Sequence, residues 1–151
     1  METIMTPVEP VQAIRTLLES QHFAVLATSH QGAPYTSLVA FSGSPDLRQI
    51  YLVTNRATRK YANLSQDERV SVLIDDTVNR ESDLVDAAAV TALGTIRELV
   101  DEERATALKP YLERHPRLAD FTAAKSCALL AVQVEKFILV RRFQQVFEYR
   151  P

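Results

Sequence analysis

The chain has 151 residues, of which 46% are hydrophobic and 24% charged, with a formal net charge of -2. That size and balance fit one soluble globular domain, residues 1–151, and give no electrostatic reason to expect nucleic acid or an anionic membrane as partner. A single cysteine, Cys127, excludes an intrachain disulfide framework and a CxxC metal site, and His22, His30 and His115 have no metal-ligand spacing. The opening METIMTPVEP lacks the basic and apolar runs of a signal peptide, and no apolar run approaches the ~20 residues of a membrane span, so a cytoplasmic protein is expected.

In chain order, Thr6-Pro7-Val8-Glu9 has the capping-box spacing, and Val11, Ile14, Leu17 and Leu18 recur at helical spacing. This predicts an amphipathic helix ending near Gln21. Short runs rich in β-branched, leucine and tyrosine residues then predict strands at Phe23–Thr28, Tyr35–Phe41, Gln49–Thr54 and Val70–Asp75. Turn residues separate them at His30–Pro34 and Ser42–Asp46, and spacers this short favour antiparallel hairpins. Only Ala57–Ser65 interrupts the series, as a brief helix. Ala87–Leu99 reads as a longer strand in which the isolated Gly94 marks a bulge or bend. Asp101 is placed to cap a second helix with an Ala105, Leu108, Leu112 stripe, ended by Arg114-His115-Pro116, and Leu118–Ala123 adds a short turn. Strands at Cys127–Val134, Phe137–Arg142 and Gln145–Tyr149 finish the chain.

About six or seven antiparallel strands with two substantial helices predict a mainly β, α+β fold of barrel type. The strand from Cys127 is apolar on both sides, with Ala128, Leu130, Val132 and Val134 on one and Cys127, Leu129 and Ala131 on the other. Two short helices offer little cover for such second faces, so a homodimer is expected. The alternative is that these residues simply close the barrel interior.

The segment Ile50–Asp75 carries the chemistry. A strand ends at Val53-Thr54, and Arg56, Arg59 and Lys60 crowd the start of the short helix that follows. Cations oppose the macrodipole there, and a local rule is most often broken at a functional site. Free backbone N–H groups, threonine hydroxyls and three cations together describe an anion site suited to phosphate, the alternative being a solvated basic patch.

At these residues the chain resembles the pyridoxamine 5'-phosphate oxidase-like FMN-binding split barrels. The resemblance rests on Thr54-Asn55-Arg56-Ala57-Thr58-Arg59-Lys60, on Asn63-Leu64, and on Asp67-Glu68-Arg69-Val70-Ser71-Val72-Leu73. Gly32-Ala33-Pro34-Tyr35 upstream and Val90-Thr91-Ala92-Leu93-Gly94 downstream keep the same order, so the likeness runs from about residue 22 to residue 99. It implies a split barrel of six to seven antiparallel strands with flanking helices. It further implies FMN with its phosphate held by Thr58, Arg59 and Lys60, with Thr54 lining the cofactor, and with the backbone of Ser37, Leu38, Val39 and Ala40 beside the flavin ring.

The chain also departs from the oxidases. Ser37 stands where they carry an arginine for the phosphate, Ser42 where they carry a lysine near flavin and substrate, and Ala89 where they carry a glutamine. There is no tryptophan to match their C-terminal pair. A pyridoxamine 5'-phosphate oxidase activity is therefore not expected. Leu112–Pro116 and Phe137–Phe143 look similar to a haem-utilisation branch of the same superfamily, but no histidine follows His115. The expected function is an FMN-dependent oxidoreductase using NAD(P)H or a similar donor on a small molecule. The alternatives are a non-catalytic flavin or haem carrier or sensor, a haem-degrading protein, and use of the deazaflavin F420. His115 reads as a helix-end residue and Cys127 as a buried small hydrophobe.

Overall fold

The computed structural model describes residues 8–151. Helix α1, Val8–Ser20, buries Ile14, Leu17 and Leu18; Thr6 of the expected capping box lies outside the described residues. Seven strands follow: β1 (Phe23–His30), β2 (Ala33–Gly43), β3 (Gln49–Asn55), β4 (Arg69–Asp75), β5 (Ala88–Leu99), β6 (Cys127–Arg141) and β7 (Gln145–Tyr149). Their order is β3-β2-β1-β4-β5-β6-β7, all antiparallel, and an additional β3–β6 pairing closes six strands into a barrel. The expected barrel is thus what forms, with β7 outside the closed ring. Around it, among the described residues, lie α2 (Arg59–Gln66), α3 (Asp83–Asp86), α4 (Asp101–Arg114) and α5 (Ala119–Ala123), with a 3-10 turn at Pro116–Leu118. The one-turn α3 has no counterpart in the sequence pattern.

β6 is one strand where the sequence suggests two. Ala128, Leu130, Val132 and Val134 point into the barrel, and then Phe137 and Leu139 do, so the inward set changes from even to odd positions. A bulge makes this possible. Leu93 pairs with Lys136 but Gly94 pairs with Val134, which leaves the exposed Glu135 as the extra residue. With the bulge, β6 is long enough to pair with β3 over Cys127–Gln133 and with β7 over Phe137–Arg141, while β5 runs along its other edge.

The same bulge explains Gly94. A Cβ built there would lie 2.0 Å from the Gln133 carbonyl oxygen and 3.2 Å from the Val134 Cα. Only glycine lets the two backbones approach so closely.

A second small core lies outside the barrel. Leu99, Ala107, Leu129 and Ala131 are buried together, with Tyr51, Val53 and Leu108 packed against them. Helix α4 therefore covers the outer side of β6. The double-sided apolar pattern of this strand is accounted for within one chain, and the case it seemed to make for a partner subunit falls away. The α4 stripe is also rotated from its expected position: Ala107 and Tyr111 are buried, whereas Ala105 is exposed. The cause lies at the helix entry. Val100 occupies the N-cap position, and Asp101, instead of capping, is the first helical residue with a φ of 53°. Aspartate is among the few residues that tolerate that left-handed conformation.

Gly94→Ala forces the Gln133 carbonyl away and breaks the register of β5 with β6. A loss of about 3 kcal/mol or more in unfolding free energy is expected, read by urea denaturation.

Candidate cofactor site

β2 pairs with β1 from Ala33 to Ala40, but with β3 only at Phe41, Ser42 and Gly43. The rung after Phe41–Leu52 would join Ala40 to Val53. Tyr111 of α4 sits there instead: its hydroxyl donates to the Ala40 carbonyl at 3.0 Å and faces the Val53 backbone. The side chain is fully buried, and that burial raises its pKa well above the ordinary tyrosine value, so the hydroxyl stays a donor. One turn on, the ring Nε2 of His115 lies 2.7 Å from the Phe41 carbonyl, to which it donates. Burial lowers the His115 pKa, which favours the neutral ring that this contact uses. Both carbonyls are thus held by α4, and β2 and β3 diverge beyond them.

The divergence leaves β2 with an unpaired edge. The Phe41 N–H donates to His22 on the β1 side. By alternation, Ser37 and Val39 share that side, and Thr36, Leu38 and Ala40 direct their backbone groups to the open edge. Of the four residues expected beside a flavin, Leu38 therefore offers its backbone donor and acceptor and Ala40 its N–H, the Ala40 carbonyl being held by Tyr111. Ser37 and Val39 instead turn their side chains toward the interior, with Val39 in the core. The Ser37 Oγ is buried and has no hydrogen-bond partner among the described residues.

The loop from Thr54 to α2 is built by its own side chains. The Asn55 Oδ1 accepts the Ala57 N–H at 2.8 Å. Thr58 is the N-cap of α2, its Oγ1 donating to the Asn55 carbonyl at 2.8 Å and accepting the Tyr61 N–H at 3.4 Å. Thr54, buried at the barrel end, brings its Oγ1 within 2.9 Å of that of Thr58. The helix is docked by Asn63, whose Nδ2 donates to the Thr28 Oγ1 at 3.1 Å in a buried contact. Thr28 pairs with Tyr35 on β2, two residues from Ser37, so α2 and the open stretch of β2 lie at the same end of the barrel.

The three cations separate in role. Arg56 donates to the Lys125 carbonyl at 2.6 Å and to Glu98 at 2.6 Å, and Glu98 also accepts from the Tyr61 hydroxyl at 2.8 Å. The Arg56 hydrogen bond is the main reason the Glu98 pKa falls below the ordinary carboxylate value. Arg56 is thus a structural brace, not one of the anion-binding cations that the sequence suggested. Arg59 and Lys60 make no hydrogen bond or ion pair through their side chains among the described residues. Their backbone N–H groups, in the first turn, have no intrahelical acceptor. A cavity of about 550 Å³ flanks α2 along Tyr61, Leu64 and Glu98, and its lining does not include these two cations.

The structure thus joins Thr54 to Thr58, places Arg59 and Lys60 at the start of α2, and sets Leu38 and Ala40, but not Ser37 and Val39, toward the open strand edge. Sequence reasoning missed Tyr111, whose position in α4 marks it as core but gives no sign of the strands its hydroxyl separates. It also missed Asn63 as the docking residue, although a buried asparagine requires a partner.

Such a closed antiparallel barrel, split between two strands beneath a basic helix start, defines the split-barrel class. The family profile described as pyridoxamine 5'-phosphate oxidase matches residues 10–141, and the chain belongs to this family. Among solved structures it is similar to a haem-binding protein from Mycobacterium smegmatis, with 21% identity and a TM-score of 0.84 over 97% of this chain and 60% of that one. It is also similar to HutZ, the haem storage protein from Vibrio cholerae, with 18% identity and a TM-score of 0.72 over 90% and 92% of the two chains. General Stress Protein 26 from Bacillus anthracis gives 16% identity and a TM-score of 0.71 over 93% and 97%. At these identities the likeness is one of fold, and the chain spans only about three-fifths of the Mycobacterium protein. No curated protein matches it significantly in sequence.

Tyr111→Phe leaves the Ala40 carbonyl without the hydroxyl that donates to it. A loss of about 1–3 kcal/mol is expected, measured by urea denaturation.

Proposed function

We propose that this protein binds FMN at the open edge of β2 and acts as an oxidoreductase on a small molecule. The observation that carries the reading is the pair of uncommitted cations, Arg59 and Lys60, at the start of α2, at the same barrel end as the orphaned Ser37 hydroxyl. A phosphate there accepts from two side chains and from first-turn N–H groups, and each charge-assisted bond contributes roughly 1.5–3 kcal/mol. The backbone of Leu38 and Ala40 meets the polar edge of the ring, while Thr54 and Thr58 hold the shape of the loop. FMN, when bound, supplies the hydride or electron transfer, with NAD(P)H or a similar reductant as donor.

A second copy of the chain completes this reading. Leu38 and Leu73 both lie opposite Val25 on the outer face of β2, β1 and β4, and they are 69% and 38% exposed. Burying this apolar patch in a symmetric dimer also covers the open edge of β2. No described helix is long and apolar enough to cross a membrane.

A second reading, a haem carrier, draws support from the haem-binding Mycobacterium protein and the haem storage protein HutZ among the structural neighbours. It gains nothing from His115, whose Nε2 is engaged by the Phe41 carbonyl, and no cluster of three metal-ligating side chains occurs among the described residues. F420, also a phosphate-bearing flavin analogue, would use the same cations.

The test compares FMN with riboflavin, which lacks the phosphate, by fluorescence titration of the apoprotein. FMN is expected to bind at least about tenfold more tightly, and Lys60→Ala or Arg59→Ala to remove about that factor for FMN alone. Equal affinities for the two flavins would contradict the phosphate site. Sedimentation is expected to show a dimer, and Leu38→Glu combined with Leu73→Glu a monomer.

A further inference from the structure

A cavity of about 610 Å³ lies between the β2–β3 hairpin and the first turns of α4. It adjoins the proposed flavin edge, because Ser42 is the next residue after Ala40 on the same side of β2. We propose that this cavity binds a small organic cation, a protonated amine carrying an apolar body. The proposal deepens the flavoprotein reading by naming the class of molecule beside the cofactor, although binding itself does not require the cofactor.

Three observations carry it. First, Ser42 lines the cavity at 6% relative exposure, and its hydroxyl is buried without a hydrogen-bond partner among the described residues. A buried hydroxyl without a partner is costly, and a ligand heteroatom would satisfy it. Second, the charged residues lining the cavity are Glu102 and Glu103, with no lysine, arginine or histidine. Glu103 is taken by Arg97 through bonds of 3.3 and 2.6 Å, which also spends that nearby cation. Glu102 has no such partner. Third, Leu99, Ala107 and Pro110 give the cavity an apolar wall.

The polar groups around the floor are committed elsewhere. The Tyr51 hydroxyl donates to the Gln49 Oε1 at 2.5 Å, and the Gln49 Nε2 donates to Gln133 at 3.3 Å. Ser42 also borders a smaller cavity of about 340 Å³ containing Arg15 and Arg114. Those cations donate to backbone carbonyls, Arg15 to Pro45 at 2.5 Å and Arg114 to Glu19 at 2.8 Å and to Gln21. The larger cavity has Ser42 where the resemblance places a lysine, and its own lining supplies no cation in that place, while Arg15 and Arg114 share the smaller cavity with the carboxylates of Glu19 and Glu113. An anionic substrate would meet carboxylate, and a cation is the complementary ligand.

Benzylamine, protonated at pH 7, and benzoate of the same shape are the probes, each followed by amide chemical shifts in the whole protein. Benzylamine is expected to move the signals of Gly43, Ser44, Leu99 and Thr106, and benzoate to leave them in place. Glu102→Gln, at an exposed position with no structural partner, should weaken benzylamine about tenfold, and Ser42→Ala several-fold. No response to benzylamine, equal responses to the two probes, or a Glu102→Gln variant that binds like the wild type would overturn the proposal. The flavin titration is read separately. A protein that binds benzylamine but no flavin keeps this site and loses the cofactor, and the reverse result removes this site alone.

Discussion

The structure turns on a tyrosine hydroxyl held where a strand-to-strand hydrogen bond would otherwise form. Tyr111 takes the Ala40 carbonyl, so β2 and β3 stop pairing after Phe41 without leaving that carbonyl unsatisfied. Without such a substitute, opening a barrel would expose or bury polar backbone at a cost comparable to a lost hydrogen bond. The split is thus a hydrogen-bonded feature with its own stability. It also converts β2 from an interior strand into one with an edge available to a ligand.

Everything needed to bring Tyr111 there lies on β5, β6 and α4. The bulge at Glu135 lets β6 run on from its pairing with β3 to its pairing with β7, and the bare backbone of Gly94 lets β5 follow it. The chain then leaves β5 at Leu99 and enters α4 through Asp101 in a left-handed conformation. That entry turns Ala107 and Tyr111 toward the barrel, and the second core on Leu129 and Ala131 fixes the helix in place. One helix therefore covers the outer side of β6, props open the split, and forms a wall of the cavity beside it.

β1, β3 and β4 were legible because each is short and buried on alternate positions. The Gln31-Gly32 turn, with both φ values positive, ties β1 to β2 as the glycine there suggests. The basic start of α2 was legible as a broken rule, since nothing in helix energetics favours Arg59 and Lys60 at that end. Local pattern could not divide the labour among the three cations, because Arg56 is drawn off by Glu98, 42 positions away in sequence. Nor could it show that β6 continues through Glu135-Lys136: a polar pair reads as a break until the partner strand reveals the bulge. The expectation of a partner subunit over Leu129 and Ala131 failed for a similar reason, because α4 was assigned a different buried face. The exposed Leu38 and Leu73 now carry that expectation instead.

The most direct measurement is the visible spectrum of the protein purified without added cofactor, with any released chromophore identified by mass. The account predicts an oxidised flavin spectrum and FMN near one equivalent per subunit. A colourless protein that also stays colourless after incubation with FMN and desalting would contradict it, and the start of α2 would then be a solvated basic patch.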